Sequence, residues 1–289
     1  MDSIHLRACA KINLGLDVVR RRPDGYHDVR MIMQMLSLCD EVTVKRTAEP
    51  GIRLNCDLAE LPCDASNIAW RAAAAVMERF GLQEGVLIDI RKHIPLAAGM
   101  AGGSTDCAAV LEGMNEVFGL GLDLPGLMEI GVKLGADVPF CLMKGCALSE
   151  GIGEILTPVP GLPQMPILIA KPPAGVSTKY VYEHLKLDDS LEHPDIDGMA
   201  RALQSGDLGG VVSRLGNVLE TVTIPEIPQI AQMKAIMRSE GALGALMSGS
   251  GPTVFGLFSE REKAQRAMTV LQDRYPENII CLTEPDCFH

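Results

Sequence analysis

From Ile4 to Val18 apolar and polar positions alternate. Ile4, Leu6, Ala8, Ala10, Ile12, Leu14, Leu16 and Val18 are apolar, and His5, Arg7, Cys9, Lys11, Asn13 and Asp17 stand between them. A period of two is that of a β-strand with one buried face. Lys11 and Asn13 are therefore expected to share the face away from the core. The stretch is long for one strand, so a bulge or break is expected in it. Pro23, Asp24 and Gly25 supply turn chemistry, and a second β-prone stretch runs from about Val29 to Val44.

Beyond residue 65 the period changes. Ile68, Ala72, Val76 and Phe80 recur every four residues, with Ser66 or Asn67 as the cap and Gly81 as the stop, which predicts a helix. "GVLIDIRKHIP" reads as a strand ending at Pro95. Cys107, Val110, Leu111, Met114, Val117 and Phe118 then form one helical stripe closed by Gly119, and a further helix is expected from Pro125 to Leu134. Pro158, Pro160, Pro163 and Pro166 mark a boundary, giving an N-terminal part over residues 1–157 and a C-terminal part over 158–289. In the second part "ILIAKP" predicts a strand, 196–203 and 227–239 predict helices, and "ALMSGSGPTVFGLF" predicts strand, glycine turn and strand. Ser259 to Glu262 form a capping-box pattern before a helix, and "NIICL" is a last strand.

Composition narrows the function classes. With 47% hydrophobic and 22% charged residues the chain is an ordinary globular one. Its net charge of -11 repels phosphate backbones and anionic lipid, so neither nucleic acid nor membrane is expected as a partner. No apolar run reaches a spanning length of about 18 residues, and the first residues lack the pattern of a secretion signal. The nine cysteines include no C-x-x-C pair, and free thiols in a reducing cytoplasm are expected. Oligomeric state, monomer or homodimer, is left open.

The chemistry is concentrated in "IPLAAGMAGGSTD". Gly99, Gly102 and Gly103 stand just before a helix expected to begin at Ser104. Unpaired first-turn amides and the positive end of the helix dipole attract an anion, and glycines let it approach the backbone. A tight turn capped by Ser104 would use the same residues. Neither the P-loop pattern nor G-x-G-x-x-G fits.

The loop Pro95-Leu96-Ala97-Ala98-Gly99-Met100-Ala101-Gly102-Gly103-Ser104-Thr105 resembles the phosphate loop of the GHMP kinases. "ACAKINLGLDVVRRRPDGYHDVRMIMQMLSL", "KLGADVPFCLMKGCALSEGIGE" and "SGSGPTVFGLF" resemble further motifs of that family, in order, from about residue 8 to residue 258. The resemblance is nearest to the branch whose acceptor is a CDP-linked sugar alcohol of the non-mevalonate isoprenoid route. It implies an α+β, two-domain fold, with a ribosomal protein S5 domain 2-like N-terminal domain and a ferredoxin-like C-terminal domain. It also implies ATP and Mg2+, with the loop from Pro95 to Thr105 on the phosphates and Ser104 on the metal. Ala101 departs from the family's usual glycine, which requires that position 101 not need a backbone conformation reserved for glycine.

The same resemblance gives roles to single residues. Asp137 in "LGADVPF" matches the general base, and Lys11 matches the lysine that stabilises the transferring phosphoryl group. Tyr26 and Tyr182 match the aromatic pair around the cytosine, His27 the hydrogen-bonding residue at its edge, and Thr178 lies one helical turn before Tyr182. Asn13 is matched to the acceptor's hydroxyls. Asn67 and Lys92 match positions near the adenine, although a helix cap and a surface charge are equally open readings of them. Other acceptors of the family, homoserine or mevalonate, and a non-catalytic nucleotide-binding protein on the same scaffold are the alternatives.

Overall fold

The computed structural model describes residues 2–286. In chain order its elements are β1 (Ser3–Arg21), β2 (His27–Thr47), β3 (Ile52–Cys56), α1 (Ile68–Phe80), β4 (Gly85–Arg91), α2 (Gly102–Phe118), α3 (Leu124–Leu134), α4 (Val138–Met143), β5 (Cys146–Glu150), β6 (Ile155–Pro158), β7 (Ile167–Lys171), α5 (Thr178–His184), α6 (Ile196–Ser205), α7 (Leu208–Val212), β8 (Gly216–Asn217), α8 (Glu220–Glu226), α9 (Gln229–Ser239), β9 (Gly244–Met247), β10 (Val254–Leu257), α10 (Arg261–Arg274) and β11 (Ile279–Thr283). They form two compact units that interleave along the chain. The first comprises Met1–Ala10, Leu38–Ile94 and Ala101–Lys144, the second Lys11–Ser37, Pro95–Met100 and Gly145–His289.

In the first unit β4 pairs with the end of β2 antiparallel and with β3 parallel, Ile88 standing opposite both Val44 and Leu54. Helices α1 and α2 cover these strands with small residues. Ala69, Ala72, Ala73 and Val76 of α1 and Ala108, Ala109, Val110 and Leu111 of α2 share one buried cluster with Val42, Val44, Val86 and Ile88. A Cβ on Gly113 would lie 2.5 Å from Val44 Cγ2, so only glycine lets α2 lie this low on the strand. Asn67 caps α1 by accepting the Ala69 N–H, and Gly81 ends it in the left-handed conformation. Both ends of this helix agree with the sequence pattern.

The second unit holds a four-stranded antiparallel sheet in the order β11-β7-β10-β9, with the apolar run of β7 at its centre and buried throughout. Met233 and Met237 of α9 and Ala264, Ala267 and Leu271 of α10 are buried in this unit. In the same unit β5 pairs with β2 and β6, and β8 pairs with β1.

Several expectations need correction. β1 runs its 19 residues as one strand, without the expected break. At Lys11 and Asn13 its polar face is not solvated, for Lys11 is 4% exposed and Asn13 is fully buried, while His5 and Arg7 are exposed. Strand β4 ends at Arg91, four residues before Pro95, and α10 starts after Glu260 without a side-chain cap, so the capping box does not form. Cys9 and Cys39 are joined as a disulfide. They face each other from neighbouring strands, 30 residues apart in sequence, where local cysteine spacing carries no signal. Burial pushes the free thiols of Cys107 and Cys146 up to about 12, which keeps them protonated and unreactive.

Candidate active site

In the first unit α2 begins at Gly102, two residues before the expected start, with Ala101 as its N-cap. The first intrahelical bond at this end runs from the Thr105 N–H to the Ala101 carbonyl. The amides of Gly102, Gly103 and Ser104 therefore lie in the first turn, where a helix supplies no acceptor. A side chain at 102 would press on Ile94, 3.2 Å from its Cβ position, and a Cβ at 103 would touch Ile68 at 3.5 Å. Both glycines are thus turn residues of the helix itself, not an approach to it. Ala101 has φ 59°, ψ 27°, so an L-residue occupies the left-handed region at the point where the loop enters the helix. The condition set by the sequence is not met: position 101 does adopt a glycine-type conformation.

Behind this turn lies a buried ion cluster. Lys92 Nζ donates to Asp106 Oδ2 at 2.6 Å and to Asp40 Oδ2. Asp40 Oδ1 also accepts the backbone N–H groups of His93 (2.6 Å) and Ile94 (2.8 Å). All three side chains are 5% exposed or less. Burial opposes charge on Lys92, but the carboxylates of Asp106 and Asp40 outweigh it and hold its pKa above the lysine range. Burial pushes the Asp106 carboxyl up to about 8 against the attraction of Lys92. Asp106 Oδ1 has no hydrogen-bond partner. Lys92 is thus no surface charge. Asn67 is engaged on both sides of its amide, accepting from Ala69 and donating to the Pro62 carbonyl at 2.8 Å. Asp137 takes the N-cap position of α4, with Pro139 in the first turn, and its carboxylate makes no capping bond there.

The second unit holds residues 95–100 of the loop together with Lys11 and Asn13. Lys11 donates its backbone N–H to the Met100 carbonyl (3.1 Å) and its ammonium to Asn13 Oδ1 (2.8 Å). Gly99, at φ +67°, lies against the turn between β9 and β10: Ser248 Oγ donates to its carbonyl at 2.9 Å, and a Cβ on Gly99 would collide with the Ser248 carbonyl. The turn is anchored in its own unit. Asn217 Nδ2 donates to the carbonyls of Met247 (2.9 Å) and Gly249 (2.8 Å), and Thr223 Oγ1 to that of Ser250 (3.1 Å).

The turn between β1 and β2 closes through the Arg22 N–H and the Tyr26 carbonyl (2.8 Å), with Asp24 Oδ1 accepting the Tyr26 N–H (3.0 Å). Tyr26 is 59% exposed. The rings of His27 and Tyr182 meet with centroids 5.2 Å apart and planes tilted by 43°. Burial, and behind it the charge of Arg21, hold His27 below the histidine range. Ser177 caps α5, and Thr178 Oγ1 lies 2.9 Å from Ser250 Oγ. His27, Tyr182, Thr178 and the glycine turn thus belong to one connected region of the second unit.

Asp40 and Asn217 were not singled out from the sequence, and Ser248 and Ser250 only as part of the glycine turn. Asp40 had a signal, an acid in the apolar run "MLSLCDEV". Asn217 ends a two-residue strand, where pattern says little.

Two family models match the chain, the GHMP kinases N terminal domain over residues 67–145 and the GHMP kinases C terminal over 190–277. A 4-diphosphocytidyl-2-C-methyl-D-erythritol kinase of Lachnoclostridium phytofermentans is 54% identical over 267 residues, 92% of either chain. One of Lachnospira eligens is 49% identical over 284 residues, 98% of this chain and 99% of its own. Among solved structures, a 4-(cytidine 5'-diphospho)-2C-methyl-D-erythritol kinase superposes with TM-score 0.82 at 32% identity, covering 98% of this chain and all of that one. The homoserine kinase of Cytophaga hutchinsonii superposes with TM-score 0.80 at 21% identity, over 99% of this chain and 95% of its own, a likeness of fold. With family models over both parts of the chain and close relatives along nearly all of it, the protein belongs to the GHMP kinases.

Proposed function

We propose that the protein transfers the γ-phosphoryl group of ATP to the 2-hydroxyl of 4-diphosphocytidyl-2-C-methyl-D-erythritol. The observation that carries this reading is the His27–Tyr182 ring pair, which suits a flat base. Homoserine and mevalonate contain no base to stack there. Relatives named for this activity at 49–54% identity support the same substrate. The cytosine stacks between Tyr182 and Tyr26, with His27 at its polar edge and Thr178 beside it, while Asn13 receives the erythritol hydroxyls. Residues 1–157 carry the phosphate loop and catalytic residues, and 158–289 the remainder.

Phosphoryl transfer depends on placement and charge more than on covalent help. The loop from Pro95 to Thr105 cradles the triphosphate, its amides at Gly102, Gly103 and Ser104 donating to phosphate oxygens. The acceptor's 2-hydroxyl oxygen attacks the γ-phosphorus, forming an O–P bond as the bond to the β–γ bridging oxygen breaks and ADP departs. The hydroxyl proton passes to the Asp137 carboxylate. Lys11, held by Asn13 and by its own backbone bond to Met100, neutralises charge on the moving group.

The donor set at the start of α2 fits Mg2+. Ser104 offers a hard, neutral hydroxyl oxygen beside the first-turn amides, which suits an ion that keeps water and phosphate oxygens as its main ligands. When bound with ATP, Mg2+ supplies neutralisation of phosphate charge. Asn67 and Lys92 stand with the nucleotide's half of the site.

A coupled assay of ADP release with the CDP-alcohol, mevalonate and homoserine tests the reading. Turnover with the CDP-alcohol alone, competitively inhibited by CDP, is expected. Turnover with another acceptor, or ATP binding without turnover on any of the three, would overturn it.

A further inference from the structure

We infer that Asp40, Lys92 and Asp106 are a buried clamp that sets the mouth of the phosphate loop, and that Lys92 is a positioning residue rather than a nucleotide ligand. The inference rests on the ATP reading above for its functional meaning, but its geometry stands apart from it. The loop leaves the first unit after Ile94 and returns to it at Ala101. Asp40 holds the departing strand by two backbone N–H bonds, at His93 and Ile94, just before Pro95. Asp106 sits in the returning helix. Lys92 Nζ joins the two acids, so one ammonium ties the outgoing chain to the incoming one. It lies 3.5 Å from where a Cβ of Gly102 would be, directly behind the first turn of α2.

The ammonium is not available to a ligand without breaking this arrangement. The Lys92 side chain is 4% exposed, and both carboxylates reach it at hydrogen-bond distance. Removing one partner of such a cluster strands a buried charge, so the link is made or lost as a whole. The backbone at Ala101 sharpens the need: an alanine in the left-handed region keeps that conformation only where its surroundings enforce it. The clamp holds the chain on either side of that residue, at Ile94 and at Asp106.

The test uses the full chain with Lys92→Met, Asp106→Leu and the double variant. Two readouts are taken: amide hydrogen exchange at residues 92–94 and 102–105, and calorimetric titration with a non-hydrolysable ATP analogue. Each single variant should speed exchange at both segments and raise the analogue's Kd about tenfold or more, with KM for the CDP-alcohol within about twofold. The double variant replaces the pair with apolar side chains of similar size and should weaken binding little further, because the same link is already gone. If a single variant fails to fold, the double variant and the same two readouts decide. A raised Kd in Lys92→Met with wild-type binding and exchange in Asp106→Leu would make Lys92 a direct ligand and overturn the clamp. Unchanged exchange at both segments in all variants would overturn it too. Should the wild-type chain bind no nucleotide, the kinase reading fails, while the exchange data still judge the clamp.

Discussion

The Ser248 hydroxyl donates to the carbonyl of Gly99, 149 residues earlier in the chain, at 2.9 Å. This bond joins the glycine loop to a turn held in place by Asn217 and Thr223. Ser248 is fully buried, so removing its hydroxyl leaves the part-buried Gly99 carbonyl without its donor. Ser248→Ala should cost about 1–3 kcal/mol of stability and weaken ATP-analogue binding several-fold. Urea unfolding and calorimetric titration check the two effects, and wild-type values in both would mean the bond is not used.

Gly99→Ala should be worse than Ser248→Ala. The new methyl would collide with the Ser248 carbonyl at a residue with φ +67°, so steric overlap and backbone strain act together. A loss of about 2–4 kcal/mol and loss of measurable nucleotide binding are expected. A variant as stable as the parent would mean that the loop and the turn can separate freely.

Ala101→Gly should move stability the other way. Left-handed backbone costs an alanine about 1–2 kcal/mol, part of which is offset by the greater freedom of glycine in the unfolded chain. A rise in Tm is expected, with the ATP-analogue Kd within about threefold. A fall in Tm would mean that the Ala101 methyl, which packs against the core of the first unit, matters more than the strain.

Asp137→Asn should lower kcat by at least about a thousandfold while leaving ATP-analogue Kd within a few-fold, because a general base acts in the transition state. Lys11→Met should likewise fall mainly in kcat. Single-turnover kinetics on folded variants separate chemistry from binding, and near-normal turnover in Asp137→Asn would remove it as the base.

The pH dependence of substrate binding follows from His27. Its folded pKa lies below the usual histidine value of about 6.5, so the fold favours the neutral ring. The unfolded chain takes up the proton first as pH falls. The associated stability is therefore complete above about pH 6.5 and declines below it. KM for the CDP-alcohol should be flat down to about pH 6.5 and rise below it as the ring charges. His27→Gln should flatten that rise. A rise that begins above pH 7, or one unchanged in the variant, would place the titration on another group. Tyr26→Ala and Tyr182→Ala should each raise the same KM about tenfold, and unchanged values would exclude stacking.

Helix α1 was legible to the residue because its cap, its apolar spacing and its stop are all local. The presence and order of β7, β9 and β10 were legible too, because their apolar runs are bounded by glycine or proline. The polar face of β1 was misread because alternation reports only that two faces differ, and Lys11 and Asn13 are buried. The start of α2 was misplaced because glycine reads as loop, whereas here two glycines form the first turn under Ile94 and Ile68. The Cys9–Cys39 disulfide and the triad of Asp40, Lys92 and Asp106 join segments far apart in sequence. No periodicity encodes which distant residues will meet. The motif order pointed to the chemistry, and three-dimensional contact was needed to show what holds those motifs still.

Tyr26 sits on a short exposed turn, and Tyr182 on a helix of seven residues. Gly99, by contrast, presses on the Ser248 carbonyl, which leaves no room for a methyl. Side chains can therefore vary on the exposed turn of Tyr26 while position 99 stays glycine. In the function proposed above, a division of this kind lets the alcohol acceptor change while the loop that meets the nucleotide keeps its backbone.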